Sequence, residues 1–310
     1  MRTIVTGGAG FIGSHVVDAL VARGDEVAVI DSLIHGRKEN VASGAELHER
    51  DIREPLDDIF DAVRPEAVFH LAAQADVRVS VEHPVEDAEV NVLGTRRMLE
   101  YAAEYGVKRV IVLSSGYVYG ALPENPNFLD EEQPLNVSRT YPAIRDLAEV
   151  DQLVMTFLWK HPEIATTLLR PVNMLGPSSH TAIGRLLRAR LVPMMAGFDP
   201  MMQFIHEEDV AAAVALALEK GTHGVFNVTG PGSVPLSVAI EECGATAVAL
   251  LEPAARIIFS QLFRLGLYHT PAGAIDFLKY NCTLDGRRFV GTTGFEPRHP
   301  LSDIFASIRR

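Results

Sequence analysis

Cysteine is scarce, positive charge is outnumbered and long hydrophobic runs are missing, and each deficit removes a class of function. Only Cys243 and Cys282 occur in 310 residues, too few and too far apart for a disulfide framework or a thiolate metal site. A formal net charge of −12 and a pI near 5.4 oppose any surface that tracks phosphates, so no nucleic-acid partner is expected. The most apolar stretches, 210–218 and 245–251, fall far short of the roughly 20 residues a membrane-spanning helix needs, so no membrane partner is expected. No fixed-period repeat or low-complexity tract is visible. No His, Cys and carboxylate cluster has metal-ligand spacing, and no metal is expected. The start, MRTIVTGG, enters a strand-and-turn pattern directly, leaving no room for a charged leader and apolar h-region. A cytoplasmic protein is the expectation.

What is present is ordinary globular composition, 47% hydrophobic and 22% charged, with a clear alternation in the first half. Short β-branched runs at 3–6, 26–30, 46–49, 67–71, 109–114 and 166–170 are separated by helical patterns, clearest at 11–22, 84–105 and 142–161. That alternation predicts an α/β fold, a Rossmann doubly wound parallel sheet. Beyond Pro171, Pro, Gly and Met become frequent and the alternation fades. The expected division is a dinucleotide-binding domain at 1–170 and a smaller, interwoven C-terminal substrate lobe at 171–310. Segments near 202–230 are expected to return to the first domain.

The most informative local pattern is Thr3-Ile-Val-Thr-Gly-Gly-Ala-Gly-Phe-Ile-Gly13. It follows the first strand and opens the first helix, the context that gives a glycine motif meaning. Gly7 suits the tight turn, Gly10 a close approach to a pyrophosphate, and Gly13 close packing of helix on sheet. Asp31 ends the second apolar run, eighteen residues after Gly13. There a carboxylate accepts from the adenosine ribose and repels a 2′-phosphate, which favours NAD over NADP. A glycine turn without ligand and a solvated Asp are the plain alternatives, and the shared register of strand, glycines, helix and acid argues against both.

With those residues in hand, the chain resembles an extended short-chain dehydrogenase/reductase of the NAD-dependent epimerase/dehydratase family, which includes sugar-nucleotide epimerases. TGGAGFIGSH, DSLIHGRKEN, RDIRE, HLAAQ, NVLGT, LSSGYVYG, LRPVNMLGP and FIHEEDVA occur in the family's order, from the first residue to about Ala213. The resemblance implies that Phe11 and Ile12 line the pyrophosphate, that Asp31 and Ser32 hold the adenosine ribose, and that Asp51 and Ile52 flank the adenine. It further implies a wall at Leu71, Ala72 and Ala73 braced by Asn91, and an approach of Pro171 to Asn173 on the nicotinamide. Taken singly, Ile52 and Leu71 read equally well as core.

Such enzymes use a Ser, a Tyr and a Lys, the Tyr moving a hydroxyl proton while hydride moves to NAD and the Lys lowering the Tyr pKa. The matching Ser is Ser115, which also reads as a cap of the turn after it. No Tyr-x-x-x-Lys exists. In one alignment Ala143 and Leu147 fill the Tyr and Lys slots; in the other, Tyr141 and Arg145 keep the four-residue spacing. The first preserves more of the helix, with Pro142 at its first turn. In the second, a planar guanidinium is a poor stand-in for an ammonium. Tyr117 and Tyr119 stand near Ser115 and either pack at the strand end or substitute in proton transfer.

At the substrate end, Met202 occupies the position of a family Arg that pairs with a diphosphate, and no second such Arg is evident around Phe277-Leu-Lys-Tyr280. Met194, Met195, Met201 and Met202 read as core or as an adaptable apolar pocket. His206 and Asp209 read as structural groups at a strand-to-helix junction. The resulting expectation is an enzyme acting on a sugar nucleotide or related hydroxyl substrate with an atypical site; the alternative is a catalytically silent NAD-binding regulatory or scaffold protein. The family also implies a homodimer through helices 84–105 and 142–161. Leu147, Val150, Val154 and Leu158 either form its apolar stripe or face the sheet.

Overall fold

The computed structural model describes residues 1–74, 76–136, 142–266 and 271–309, without the side chains of Pro142 and Ala143. The chain opens with β1 (Arg2–Thr6), α1 (Phe11–Ala22), β2 (Glu26–Asp31), β3 (Ala45–Glu49), α2 (Asp57–Val63) and β4 (Ala67–His70). It continues through α3 (Val77–Glu82), α4 (Pro84–Ala88), a wide π turn (Glu89–Leu93), α5 (Gly94–Glu104), β5 (Arg109–Leu113), α6 (Pro142–Lys160) and β6 (Ala165–Pro171). The helical pattern expected at 84–105 is thus realised in three pieces.

The second half contains β7 (Asn173–Leu175), α7 (Ala182–Leu187), β8 (Leu191–Met195), β9 (Met201–His206), α8 (Glu207–Lys220) and β10 (Gly224–Val228). After these come β11 (Ser233–Pro235), α9 (Leu236–Glu242), β12 (Thr246–Leu250), α10 (Glu252–Arg264), α11 (Arg287–Thr293) and α12 (Leu301–Ala306).

Seven parallel strands form the main sheet in the order β10-β6-β5-β4-β1-β2-β3. The order reverses between β1 and β4, which opens a crevice at the carboxyl ends of the strands, where such sheets take ligands. Alternate residues supply the two faces. Val5, Val29, Phe69, Ile111 and Leu169 pack against α1 and α8, while Ile4, Ile30, Val68, Val110 and Leu168 face residues of α2, α5 and α6. Of the expected α6 stripe, Val154 is fully buried and Val150 nearly so on this side, Leu147 packs against the first cluster, and Leu158 is half-buried.

Of the two segments expected to rejoin the main sheet, β10 pairs with β6, whereas β9 sits in a small sheet of order β11-β9-β7. The helix after β9, α8, nonetheless packs on α1. A third core gathers α7, β8, β9, α9, α10 and α12 around Leu187, Val192, Phe204, Leu236, Phe259 and Ile304. Among the described residues no helix is long and apolar enough to cross a membrane.

Candidate cofactor and substrate site

The site grows from the carboxyl edge of the main sheet, where Gly7, Asp31, Asp51, Leu71 and Ser115 lie at or near strand ends and Asn173 follows the end of β6 as the first residue of β7. Gly7 has φ +71°, which favours glycine, and a Cβ there would lie 2.7 Å from the Ala72 backbone. A Cβ on Gly13 would stand 2.0 Å from the Gly7 carbonyl oxygen, so only a bare Cα lets α1 come this close to the turn. Gly10 precedes α1 and donates to the Gly7 carbonyl at 3.1 Å. No side chain caps α1, and its first turn carries no acidic residue. Its leading N–H groups, at Phe11, Ile12 and Gly13, are therefore suited to a phosphate. A turn closed to a Cβ at Gly7 and Gly13, with N–H donors at the start of α1, fits a pyrophosphate.

Asp31 is nearly buried and already employed: its carboxylate accepts from the N–H of Ala9 at 3.0 Å and of Leu33 at 2.9 Å. It ties the glycine turn to the end of β2 and retains acceptor capacity for a ribose hydroxyl. Ser32 beside it is exposed. Asp51 accepts from both the backbone and the guanidinium of Arg53, whose hydrogen bond holds the carboxyl below its ordinary range. Ile52 is buried against the second core.

The wall after β4 is held by a relay the sequence did not announce. The Ala72 N–H donates to Thr6 Oγ1 at 3.3 Å, and Thr6 in turn contacts His70 Nδ1 at 2.8 Å. On the other ring edge His70 Nε2 lies 2.9 Å from Thr95 Oγ1, whose hydroxyl donates to the Asn91 carbonyl. Because Thr95 is already a donor, the imidazole proton belongs on Nε2 and Nδ1 accepts. Burial pushes His70 down to about 4, so the relay is neutral at physiological pH. Asn91, at the π turn, accepts from the Gln74 N–H at 2.7 Å and donates back to the Gln74 carbonyl. It thereby clamps the segment carrying Leu71, Ala72 and Ala73.

Ser115 lies just past β5, and its hydroxyl accepts from the Tyr117 N–H at 3.2 Å. The cap and the site position therefore coincide. The two nearby tyrosines diverge. Tyr119 is buried, donates to Asn227 at 2.8 Å and accepts from Arg170, and burial pushes its phenol up to about 12. It belongs to a fully buried network in which Arg170 pairs with Asp151 at 2.6 Å and Asp151 accepts from Ser114. Tyr117 instead lines a cleft, with its hydroxyl donating to Asn173 Oδ1 at 2.7 Å and its ring 4.6 Å from that of Phe277. Asn173 is fixed by donating to the Gln203 carbonyl, and Pro171 ends β6 beside it.

At the Tyr and Lys slots, Tyr141 and the side chain of Ala143 lie outside the described residues. Leu147 offers an isobutyl group packed on the core. Arg145 is held at its neighbour Asp146, 2.8 Å away. Asp146 faces Asp87 of α4 within hydrogen-bonding reach, and both carboxyls are buried with one oxygen otherwise unpartnered. Two carboxylates cannot donate to each other, so one shared proton satisfies both. Burial, followed by the facing Asp146, pushes Asp87 up to about 7.

The cleft beside Tyr117 is apolar: Ile183, Leu186, Met202, Phe259 and Leu278 are among its other walls, and no lysine or arginine is among the described lining residues. Met195 is buried and Met194 and Met201 half-buried. The nearby cations serve internal partners, Lys279 pairing with Glu252 at 2.8 Å and Arg256 with Glu252 and Asp276. His206 caps α8 through Nδ1, and Asp209 accepts from the N–H groups of Arg298 and His299. His206, Glu208 and His299 come together, a grouping the sequence did not suggest. The imidazoles are stacked, centroids 3.9 Å apart with planes 24° from parallel. His206 Nδ1 already accepts from the Glu208 N–H, and His299 faces the carboxylates of Glu208 at 3.5 Å and Asp209 at 3.1 Å.

Known proteins share this fold. A UDP-glucose 4-epimerase of Mycolicibacterium smegmatis is 40% identical over 184 residues, which is 57% of this chain and 57% of that protein. The UDP-glucose 4-epimerase of Thermus thermophilus, solved in complex with NAD, superposes with TM-score 0.79 at 29% identity, covering 99% of this chain and 98% of the other. The enzyme of Thermotoga maritima, solved with UDP-glucose, does so at 28% identity and TM-score 0.79, over 99% and 97%. The NAD dependent epimerase/dehydratase family matches residues 3–229. This chain belongs to that NAD-dependent family of α/β enzymes.

Proposed function

We propose that this chain is an NAD-dependent enzyme of epimerase or dehydratase type that reacts at a hydroxyl-bearing carbon of a sugar nucleotide or related hydroxyl compound. The observation that carries the reading is the convergence of the glycine cradle, Asp31, Ser115 and Tyr117 on one edge of the sheet. Bound NAD would supply reversible hydride acceptance. The glycine turn and the start of α1 would hold its pyrophosphate, Asp31 its adenosine ribose, and the wall at 71–73 with Pro171 and Asn173 its nicotinamide end. Ser115 orients the reacting hydroxyl. With Leu147 in the Lys slot, proton transfer falls to Tyr117, whose phenol is positioned by Asn173 and opens on the cleft.

The test is reduction of enzyme-bound NAD, read as NADH fluorescence, with a panel of nucleotide sugars and simpler hydroxyl compounds. Tyr117→Phe is expected to lower turnover by about 10²–10⁴-fold with NAD affinity unchanged. Equal turnover would remove Tyr117 from the mechanism. A silent NAD-binding scaffold is the weaker reading, since the matched relatives are named as enzymes. The expected setting is the cytoplasm, where free Cys243 and Cys282 stay reduced.

A homodimer is the proposed assembly. Leu147, Val150 and Val154 of the expected α6 stripe pack on the core, but Val85 of α4, Leu93 of the π turn and Trp159 of α6 are exposed at 71%, 46% and 82% on elements that pack together. Trp159 at 82% exposure is the natural centre of such a contact. Sedimentation showing a monomer at micromolar concentration would remove the proposal.

A further inference from the structure

One face of the C-terminal lobe is apolar where it meets water. On α10 the inward positions are taken by Ala255 and Phe259, both buried. The outward positions of such a helix are normally polar. Here Leu251, Ile257, Ile258 and Leu265, on α10 or one residue beyond its ends, are 71%, 65%, 41% and 70% exposed. Leu251, Ile258 and Leu265 are seven apart, a spacing that returns to the same side of a helix, and Ile257 stands beside them. Leu191 of β8 and Val248 of β12, both exposed, extend the patch across a groove that Ile258 also lines. The exposed residues of β12, 246–249, add no charge. Apolar surface gathered in this way, rather than scattered singly, marks an interaction surface.

The charge around this patch is opposite in sign to that of the chain. Residues 182–193 and 246–266 hold five arginines and one glutamate, in a protein of net charge −12. That glutamate, Glu252, is taken by Arg256 and Lys279. Arg185, Arg190 and Arg264 are exposed, and among the described residues none of the three pairs with a carboxylate; Arg185 donates only to the His180 carbonyl. We infer that this face of α10 and β12 rests on an anionic lipid bilayer, its apolar side chains in the headgroup boundary and its arginines against lipid phosphates. An apolar helical face bordered by cations is what adsorption to such a surface requires. The expectation of no membrane partner came from the lack of a spanning run, and lying along a bilayer needs none. A second copy fits less well, because a two-fold contact sets these arginines against their own copies, and like charges across an interface are costly. A peptide held in the groove fits less well too: Leu251, Ile257 and Leu265 are not among the groove's lining residues and would stay in water. A bilayer covers ridge and rim together. The acidic remainder of the chain is repelled by such lipids, which confines the contact to this lobe.

The experiment is co-sedimentation of the full chain with vesicles of phosphatidylcholine alone and of phosphatidylcholine mixed with an equal part of phosphatidylglycerol. Partitioning onto the mixed vesicles is expected, weaker by about tenfold or more on phosphatidylcholine alone and falling as salt is added. A double variant, Ile257→Ser with Leu265→Ser, is expected to lower partitioning by about tenfold or more, and Arg264→Gln by about fivefold. All three positions are exposed, so the thermal midpoint and NAD affinity are expected to stay unchanged. No partitioning onto the mixed vesicles, or partitioning indifferent to phosphatidylglycerol or to the double variant, overturns the proposal. So does lipid-free self-association of the parent chain that the double variant abolishes, which would assign the face to a second copy. Binding is read without turnover, so an unchanged Tyr117→Phe variant would sink the catalytic reading and leave this one standing.

Discussion

The two ends of the site are built by different means. At the cofactor end the shape is set by the backbone: Gly7, Gly10 and Gly13 lie within seven consecutive residues, and a Cβ on Gly13 has no room at all. At the proposed substrate end the shape is set by side chains from separate elements, with Ile183 and Leu186 from α7, Met202 from β9 and Phe259 from α10 meeting only after folding. A backbone cradle tolerates almost no substitution. An apolar wall tolerates exchanges that preserve volume. A chain built this way can keep its cofactor while its substrate preference changes.

The sharpest way to break that comparison is one small substitution at each end. Gly13→Ala places a Cβ against the Gly7 carbonyl, so α1 must slide or the turn must open. NAD affinity, measured by calorimetry, is expected to fall by about 100-fold or more, equivalent to roughly 3 kcal/mol, at the upper part of what overpacking costs. Leu186→Met, a change of similar bulk in the apolar wall, is expected to shift stability by less than about 1.5 kcal/mol and leave NAD binding alone. Comparable losses from both variants would show that the ends are not built differently.

The same contrast explains what the sequence reveals. Six strand positions, the first helix, the turn at Gly7 and the close packing at Gly13 follow from local signals, since periodicity and a short motif each act within a few residues. The helical stripe on α6 is equally visible, but its partner is not: Val150 and Val154 are spent on the sheet, and exposed Trp159 stands outside the stripe. Periodicity reports that a face is apolar without saying what covers it. Tyr117 is close to Ser115 in sequence, yet its meaning comes from Asn173, fifty-six residues later. Tyr119, two positions on, is instead absorbed by the buried Arg170 and Asp151 pair. Nothing local distinguishes the two phenols. The absence of Tyr-x-x-x-Lys is legible, whereas the facing of Asp87 and Asp146 is not, because no spacing rule connects α4 with α6.

That carboxyl pair sharpens the comparison where the two ends meet, since Asn91 donates to Asp87 and also clamps Gln74 at the cofactor wall. The groups facing Asp87 are Ser80 from α3, Asn91 from the π turn, and Asp146 and Arg145 from α6. Its carboxyl is raised from the ordinary range to about 7, so the folded chain holds a proton that the unfolded chain releases near pH 4. Between about pH 4 and about pH 7 the folded state therefore binds more protons, and this pair's contribution to stability falls as pH rises through that window. Asp87→Asn replaces the shared proton with a permanent N–H donor to Asp146. Urea unfolding is expected to show the slope with pH flattened and stability above neutrality raised by about 1 kcal/mol. NAD affinity of the parent chain is expected to change with pH over the same window, because Asn91 leans on a group that ionises, and the variant is expected to show no such change. A variant that keeps the wild-type slope would place the shared proton elsewhere and uncouple this pair from the cofactor wall.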